Sequence, residues 1–156
     1  MEGRLEPAAV EYIEDEWRRL WGLPVVSLDR NYDPSEVEGL VYHDEWGAPQ
    51  GLVTWHVDGY NGEIVTIDAF EQGRHIGGRL LSAAETALRN RHVKRLTIFT
   101  TNDNLRALAF YMRHGYRLVA VHLDAMERVR ALKPDIPEIG HENLPLQDVI
   151  ELVKHL

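Results

Sequence analysis

The chain contains no cysteine and no long apolar run. The absence of thiols excludes a cysteine nucleophile, a redox pair, a thiolate zinc site and an acyl-cysteine intermediate. No stretch approaches the roughly 18 consecutive apolar residues that a membrane helix needs. Residues 1–7 are polar and acidic, unlike the apolar core of a signal peptide. We therefore expect a cytoplasmic protein that does not bind membranes.

Positive charge is also scarce, with 17 Lys and Arg against 25 Asp and Glu and a formal net charge of -8. An acidic surface repels a phosphate backbone, so nucleic acid is not an expected partner. The 8 histidines are scattered. None forms an H-x-x-x-H pair on a helix, and no cysteine is present to complete a zinc set. We expect no metal cofactor.

The 156 residues are 44% hydrophobic, which predicts one globular domain over residues 1–156. Helical periodicity predicts an amphipathic helix over 8–21, ended by glycine and proline. Apolar runs separated by turn residues then predict strands that form an antiparallel meander, over residues 39–44, 51–57 and 63–69.

Beyond the meander the pattern alternates between helix and strand. It predicts helices over 77–90 and 104–114, each followed by a strand, at 95–100 and 116–123. This order indicates an α/β fold with a mixed sheet flanked by helices and at least one right-handed crossover. Residues 124–156 are expected to form a helix, an extended proline-containing wrap and a closing helix over 146–155.

A glycine-rich loop, Gln-Gly-Arg-His-Ile-Gly-Gly over residues 72–78, separates the third meander strand from the next helix. The unpaired amides and partial positive charge of a helix start attract phosphate groups. The spacing matches neither the dinucleotide motif GxGxxG nor a P-loop. A strand-to-helix turn without a ligand explains this segment alone equally well.

The helix predicted over 104–114 carries two stripes. Leu105, Leu108 and Met112 are expected to face the core. Asn104 and Tyr111 share a neighbouring face with a small alanine between them, and a narrow ligand fits over such a residue. A partly buried tyrosine and a polar residue of the first helical turn are the simpler interpretation.

The two segments together, Gln-Gly-x-x-Ile-Gly-Gly and then Asn-x-x-Ala-x-x-Phe-Tyr-x-x-x-Gly-Tyr, resemble the GNAT family of acetyl-CoA-dependent N-acetyltransferases. The resemblance covers about residues 25–123, and its core motifs lie within 63–123. It implies a mixed, largely antiparallel sheet flanked by helices. The proline-containing tail after residue 132 resembles a bacterial subgroup whose substrates are unassigned.

The resemblance implies acetyl-CoA as co-substrate and assigns most of its contacts to the glycine-rich loop and the strand before it. The loop wraps the pyrophosphate, the strand end binds the pantetheine arm, and the start of the second helix adds contacts. The implied cofactor-binding residues are Asp68, Ala69, Phe70, Gln72, Gly73, Arg74, His75, Ile76, Gly77, Gly78, Asn104 and Ala107.

For catalysis, the resemblance implies that Tyr111 protonates the departing thiolate and that Glu63 acts as general base, directly or through water. Asp68 is the other carboxylate nearby, and the choice between them stays open. Acyl transfer to an amine also needs hydrogen-bond donors for the developing oxyanion, which backbone N–H groups near residues 69 and 70 would supply. Direct attack by the amine in a ternary complex is the expected mechanism.

One residue departs from the family pattern, because His75 stands where the loop has its first glycine. A histidine there narrows the phosphate cradle or requires backbone angles that glycine tolerates better. The alternative function is therefore a non-catalytic acyl-CoA-binding or regulatory module. The acceptor of the enzyme would be an amine of a small molecule or of a protein, and a homodimer is the default assembly.

Overall fold

The computed structural model describes residues 3–70 and 75–156. Its helices are α1 (Val10–Leu20), α2 (Ile76–Asn90), α3 (Leu105–Arg113) and α4 (Ala125–Leu132). Its strands are β1 (Arg4–Pro7), β2 (Val25–Ser27), β3 (Arg30–Tyr32), β4 (Glu38–His43), β5 (Pro49–Asp58), β6 (Asn61–Ala69), β7 (Arg95–Thr101), β8 (Arg117–His122) and β9 (Val149–His155). A short 3-10 turn at Pro34–Glu36 is capped by Asp33, as the sequence indicates.

Seven strands form the main sheet in the order β1-β4-β5-β6-β7-β9-β8, and β2 pairs with β3 in a separate hairpin. The pair β6–β7 is parallel, and the other neighbouring pairs of the main sheet are antiparallel. Strands β4, β5 and β6 form the predicted meander, and α2 connects the parallel pair. The expected mixed, largely antiparallel sheet flanked by helices is confirmed.

The parallel strands β6 and β7 separate along their length. Their paired residues run from Asn61 with Arg95 to Ile64 with Ile98, although β6 continues to Ala69. Against β5, the register of β6 steps from Ile64 to residue 66, which leaves Val65 as the extra residue of a β-bulge. The far half of β6 therefore presents backbone groups toward an opening in the sheet rather than toward a paired strand.

Helices α1 and α2 cover opposite faces of the sheet. The predicted apolar face of α2, Leu80, Leu81, Ala84 and Leu88, is fully buried in the larger core. On the other face, Ile13 and Trp17 of α1 pack over residues that include Leu52. The indole of Trp17 also donates a 3.1 Å hydrogen bond to the hydroxyl of Thr66 on β6.

The predicted closing helix over 146–155 is wrong, because this segment forms strand β9 between β7 and β8. Its buried residues Val149, Leu152 and Val153 follow one another at intervals of three and one, a spacing that also suits one face of a helix. Leu152 packs in the larger core and Val149 packs in the cluster around α4, so β9 buries residues on both faces and a strict alternation is lost.

The predicted core stripe of α3 is also wrong in part. Leu105 and Met112 are 49% and 46% exposed, whereas Tyr111 is only 8% exposed. The helix instead turns Ala107, Leu108 and Phe110 toward the core around Tyr111. The face that the motif singled out is therefore the one that packs inward. Strands β1 and β3 were not predicted.

Candidate active site

A cavity of about 1040 Å³ lies where β6 separates from β7, between the end of β6, the start of α2 and one face of α3. An open cavity of this volume is large enough for a ligand of cofactor size. Its described walls comprise Leu5, Ile67, Asp68, Ala69, His75, Ile76, Gly77, Gly78, Arg79, Ser82, Ala83, Asn104, Arg106, Ala107, Phe110, Tyr111, Arg113 and His114.

Most of the predicted site residues meet in this cavity. The walls include Asp68, Ala69, His75, Ile76, Gly77, Gly78, Asn104, Ala107 and Tyr111. Among the described residues, Phe70 and Glu63 are absent from these walls. The predicted loop residues Gln72, Gly73 and Arg74 lie outside the residues that the structure describes. The roles of all these residues remain predictions.

His75 is the residue before α2 and adopts a left-handed backbone conformation, with φ 58° and ψ 20°. A non-glycine residue in this region carries a strain of about 1–3 kcal/mol. The position therefore does require the backbone angles expected of glycine, and this histidine adopts them.

The two glycines after it allow α2 to approach α3 closely. A Cβ atom at Gly77 would lie 3.3 Å from the ring of Phe110, and one at Gly78 would lie 3.0 Å from Nε2 of His114. Both distances are tight for a side chain in a packed interior. These glycines thus shape the wall between the two helices as well as the start of α2.

Tyr111 stands in the wall of the cavity on α3. Burial raises the pKa of its phenol, and the negative charge of Asp68 raises it further. The rings of Phe110 and Tyr116 lie 5.5 Å and 6.2 Å from it in edge-on arrangements that hold its orientation. The phenol therefore stays protonated at neutral pH, as a proton donor must.

Asp68 lies at the end of β6, in the wall of the same cavity. Its carboxylate accepts a 2.9 Å hydrogen bond from Nε1 of Trp21. Burial raises the pKa of this carboxyl group. The hydrogen bond from Trp21 lowers this pKa, the negative charge of Glu16 raises it, and the positive charge of Arg19 lowers it. The net pKa lies above the ordinary value, which makes the carboxylate a better proton acceptor than an exposed one.

Glu63 lies earlier on β6, where that strand is still paired with β7 opposite Thr97. Its carboxylate accepts hydrogen bonds from Ser27 Oγ and, at 2.8 Å, from the hydroxyl of Tyr32. Burial raises the pKa of Glu63, and these two hydrogen bonds oppose the increase. The carboxylate thus anchors the β2–β3 hairpin to the sheet.

A second, smaller cavity of about 180 Å³ lies beside the first. The two share Asn104, and Trp21 lines the second while it donates to Asp68 in the first. The lining comprises Trp21, Val25, Val26, Ser27, Leu28, Val65, Phe99, Thr100, Thr101, Asn104, Met126, Val129, Lys133, Ile136 and Val149.

Sequence reasoning missed the arginines of α3 and the second cavity. The face of α3 toward the cavity includes Arg106, Phe110 and Arg113. These residues recur at helical spacing, so the sequence alone could have placed them on one face. The second cavity joins α1, β2, β7 and α4, which are far apart in the chain, so no local pattern indicates it. Trp21 lines this cavity, whereas Trp46, in the turn between β4 and β5, is 78% exposed.

Across residues 3–70 and 75–156, no group of three or more His, Asp or Glu side chains is arranged to hold a metal ion. Within the same described ranges, no helix is long and apolar enough to span a membrane.

The model of the acetyltransferase (GNAT) family matches residues 7–116. The uncharacterized protein YdhI of Bacillus subtilis is 33% identical over 143 residues, which cover 91% of this chain and 89% of that protein. The fold is also similar to that of two solved structures. An IAA acetyltransferase from Bacillus cereus superposes with a TM-score of 0.79 at 20% identity, over 99% of this chain and all of the other (100%).

The second is a GNAT family acetyltransferase from Elizabethkingia anophelis with acetyl-CoA bound. It has a TM-score of 0.73 at 19% identity, over 99% of each chain. At 20% and 19% identity, the two structures show that the fold is similar and nothing more specific.

Proposed function

Because the chain belongs to the acetyltransferase (GNAT) family, we propose that it transfers an acetyl group from acetyl-CoA to a primary amine by direct attack in a ternary complex. The observation that carries this proposal is the meeting of Tyr111, Asp68 and the start of α2 around one large cavity at the opening between β6 and β7. The acceptor amine belongs to a small molecule or to a protein.

The residues present fit acetyl-CoA in three respects. The cavity of about 1040 Å³ is large enough for an extended cofactor. The far half of β6 offers backbone groups along the opening, where a pantetheine arm can bind as an added strand. The free amides at the start of α2 face the same space and suit the pyrophosphate. The solved Elizabethkingia relative with acetyl-CoA bound supports the same ligand here.

Bound acetyl-CoA would supply an acetyl group activated as a thioester. The N–H of Phe70 donates to the oxygen of Gln50 at 2.9 Å, so it does not serve as the oxyanion donor expected from the sequence. The N–H of Ala69, at the end of β6 in the cavity wall, is the remaining candidate donor to negative charge on the carbonyl oxygen. The phenol of Tyr111 donates a proton to the sulfur as the thioester bond breaks, and it regains that proton from solvent. The nitrogen forms the new bond to carbon and loses one proton to a carboxylate.

We assign that proton acceptor to Asp68 ahead of Glu63. Asp68 lines the same cavity as Tyr111. Burial raises the pKa of the Tyr111 phenol most, and the negative charge of Asp68 raises it further. The Glu63 carboxylate is instead held by Ser27 and Tyr32. A water molecule between Glu63 and the amine is the alternative route, as the resemblance implies.

A non-catalytic acyl-CoA-binding or regulatory module is the second candidate, because a histidine stands at position 75, where the family's loop has its first glycine. The side chain at this position occupies space that glycine leaves free to a phosphate. Such a module would bind acetyl-CoA and would release no thiol with any amine.

Calorimetric titration with acetyl-CoA is the first test, with CoA and ATP as controls. Binding of acetyl-CoA and CoA without comparable binding of ATP supports the proposed cofactor, and the absence of any binding overturns it. Amine-dependent release of free CoA then separates the enzyme from the binding module. Tyr111→Phe should abolish most of this release and keep acetyl-CoA binding.

A further inference from the structure

The smaller cavity is mainly apolar. Its walls comprise valines, aromatic rings and other aliphatic side chains, and the polar members are Ser27, Thr100, Thr101, Asn104 and Lys133. Its volume of about 180 Å³ is close to the roughly 150 Å³ of an apolar cavity that admits benzene. This space accepts a single ring or a short branched chain.

Charge selects among ligands of that size. Of the side chains described around the cavity, Lys133 is the one with an ionisable group, and it is a cation. Its Nζ donates to the backbone oxygens of Trp21, at 2.7 Å, and Gly22, at 3.2 Å. The described walls hold no carboxylate, because Glu63 and Asp68 lie behind the lining residues Ser27 and Trp21, to which they are hydrogen-bonded. A second positive charge on a ligand would therefore enter apolar walls near this cation without a partner in the wall, which is costly.

The same lysine closes one side of the cavity. Lys133 follows α4, and its two hydrogen bonds tie that helix to the end of α1. Ile136 of the proline-containing segment adds to the wall, and Asn102 holds the later part of that segment. The Asn102 side chain donates to the oxygen of Pro145 at 2.8 Å and accepts from the amides of residues 147 and 148 at 3.0 Å. These contacts fix the wall of the cavity on the side of α4 and the proline-containing segment, and a ligand whose body matches the volume of about 180 Å³ fits against it.

The position of the cavity is suited to an acceptor. It shares Asn104 with the large cavity, and Trp21 connects it to Asp68. A ligand with its apolar body in the small cavity therefore directs its polar end to the boundary, where Asn104 and the Trp21–Asp68 hydrogen bond lie.

Resting on the proposed acetyl transfer, we infer that the small cavity holds the acceptor and that this acceptor is a compact primary monoamine on an apolar body. This class excludes polyamines and aminoglycosides, which carry several positive charges. It also disfavours lysine side chains of folded proteins: with the amine at the boundary, the attached backbone would have to leave on the side that Lys133 and Ile136 line.

The test compares kcat/KM for two amines of similar length, 3-methylbutylamine and 1,4-diaminobutane, with 2-phenylethylamine and a lysine-containing peptide as further substrates. We expect kcat/KM for the two apolar monoamines to exceed that for the diamine and the peptide by at least roughly tenfold, or about 1.4 kcal/mol, because a second polar or charged group enters apolar walls without a partner. Equal or higher kcat/KM for the diamine or the peptide would overturn the inference.

Val26→Asp tests the location. Val26 is a half-buried residue of the short strand β2 and lines the cavity. A carboxylate there should raise kcat/KM for the diamine relative to the monoamine. The matched control is Val119→Asp on strand β8. The Val119 side chain is 52% exposed and is not among the described residues that line either cavity. An unchanged ratio in Val26→Asp, or the same change in both variants, places the acceptor elsewhere.

A binding measurement separates this inference from the proposed function. Calorimetry with acetyl-CoA tests the cofactor in every variant, and titration of 3-methylbutylamine into CoA-saturated protein tests the acceptor without turnover. Acetyl-CoA binding combined with no preference for the apolar monoamine rejects the inference alone. No acetyl-CoA binding by the unmodified chain rejects the proposed function itself.

Discussion

The indole Nε1 of Trp21 donates a 2.9 Å hydrogen bond to Oδ2 of Asp68, 47 positions later in the chain. This contact joins the end of α1 to the end of β6, at the boundary between the two cavities. It also acts on chemistry, because it lowers the pKa of a carboxyl group that burial raises. Trp21 thus lines the small cavity and also lowers the pKa of Asp68, which lies in the wall of the large cavity.

Trp21→Phe should therefore shift the pH dependence of activity. The variant keeps a ring in the wall and removes the hydrogen bond, so the pKa of Asp68 increases further. A base must be deprotonated to act, and the acidic limb of the kcat/KM profile should move to higher pH. Trp46→Phe is the control, because Trp46 is 78% exposed. An unshifted limb in Trp21→Phe would indicate that Asp68 is not the base.

Replacement of the two carboxylates separates their roles. We expect Asp68→Asn to lower kcat by about 100-fold, the lower range for a general base, with acetyl-CoA binding kept. Glu63→Gln should lower the stability of the β2–β3 hairpin and leave kcat within about threefold of the unmodified chain, because its partners are Ser27 and Tyr32. The reverse order in kcat would assign the base to Glu63.

Stability against pH gives a second readout for Asp68. Because its folded pKa is raised, the carboxyl group stabilises the fold most when it is protonated, and this contribution decreases as pH increases through the folded pKa. Glu16, Arg19 and Tyr111 are the charged or titratable groups that interact with it. Asp68→Asn should therefore unfold at a higher Tm than the unmodified chain at pH 8, with a smaller difference at pH 4. Thermal unfolding at both values checks this.

Tyr111→Phe tests the proposed acid. Loss of a positioned proton donor costs about 10²–10⁴-fold in rate, and the ring continues to pack against Phe110 and Tyr116. We expect kcat to decrease by at least about 100-fold, with the Kd for acetyl-CoA unchanged. The control is Tyr116→Phe. That hydroxyl donates to Glu85 at 2.7 Å, so its loss should lower Tm and spare kcat.

Two histidines with the same backbone strain make a matched pair. His75 has φ 58° beside the large cavity, and His92 has φ 63° after the C-terminal end of α2. Glycine relieves left-handed strain of about 1–2 kcal/mol at either site, and its greater freedom in the unfolded chain offsets about half of that. We expect both variants to gain up to about 1 kcal/mol, measured by urea unfolding.

Acetyl-CoA binding distinguishes the two histidines. Calorimetry should show tighter binding for His75→Gly, because a bare backbone leaves more room for phosphate, and an unchanged Kd for His92→Gly. Unchanged binding in both variants would show that the His75 side chain does not narrow the cradle.

The local elements of this fold were predictable because glycine, proline and turn residues mark the ends of each one, and the spacing of its apolar residues indicates helix or strand. Helix α2 has a glycine-rich start and an apolar face, Leu80 to Leu88, that recurs at helical spacing, and the structure buries that face fully. The meander likewise follows from apolar runs between turns. The cavity wall on α3 followed from the spacing of Asn104 and Tyr111.

What the sequence did not indicate depends on contacts between distant segments. Trp21 reaches Asp68, and Lys133 reaches the end of α1, across separations that no periodicity encodes. Which face of α3 turns inward is likewise decided by packing against Tyr116 and the larger core, which bury Tyr111 and leave Leu105 and Met112 exposed.

Strand β9 provides a direct test of the corrected C-terminal segment. Leu152 of β9 is 0% exposed and lies opposite Leu118 of the edge strand β8, which is 54% exposed. Leu152→Ala should cost about 2–5 kcal/mol of unfolding free energy, because it leaves a cavity in the larger core on that face of the sheet. Leu118→Ala, the same substitution on the paired residue, should cost under about 1 kcal/mol, since little apolar surface is lost from the interior. Urea unfolding measures both, and similar costs would be incompatible with a central strand at this position.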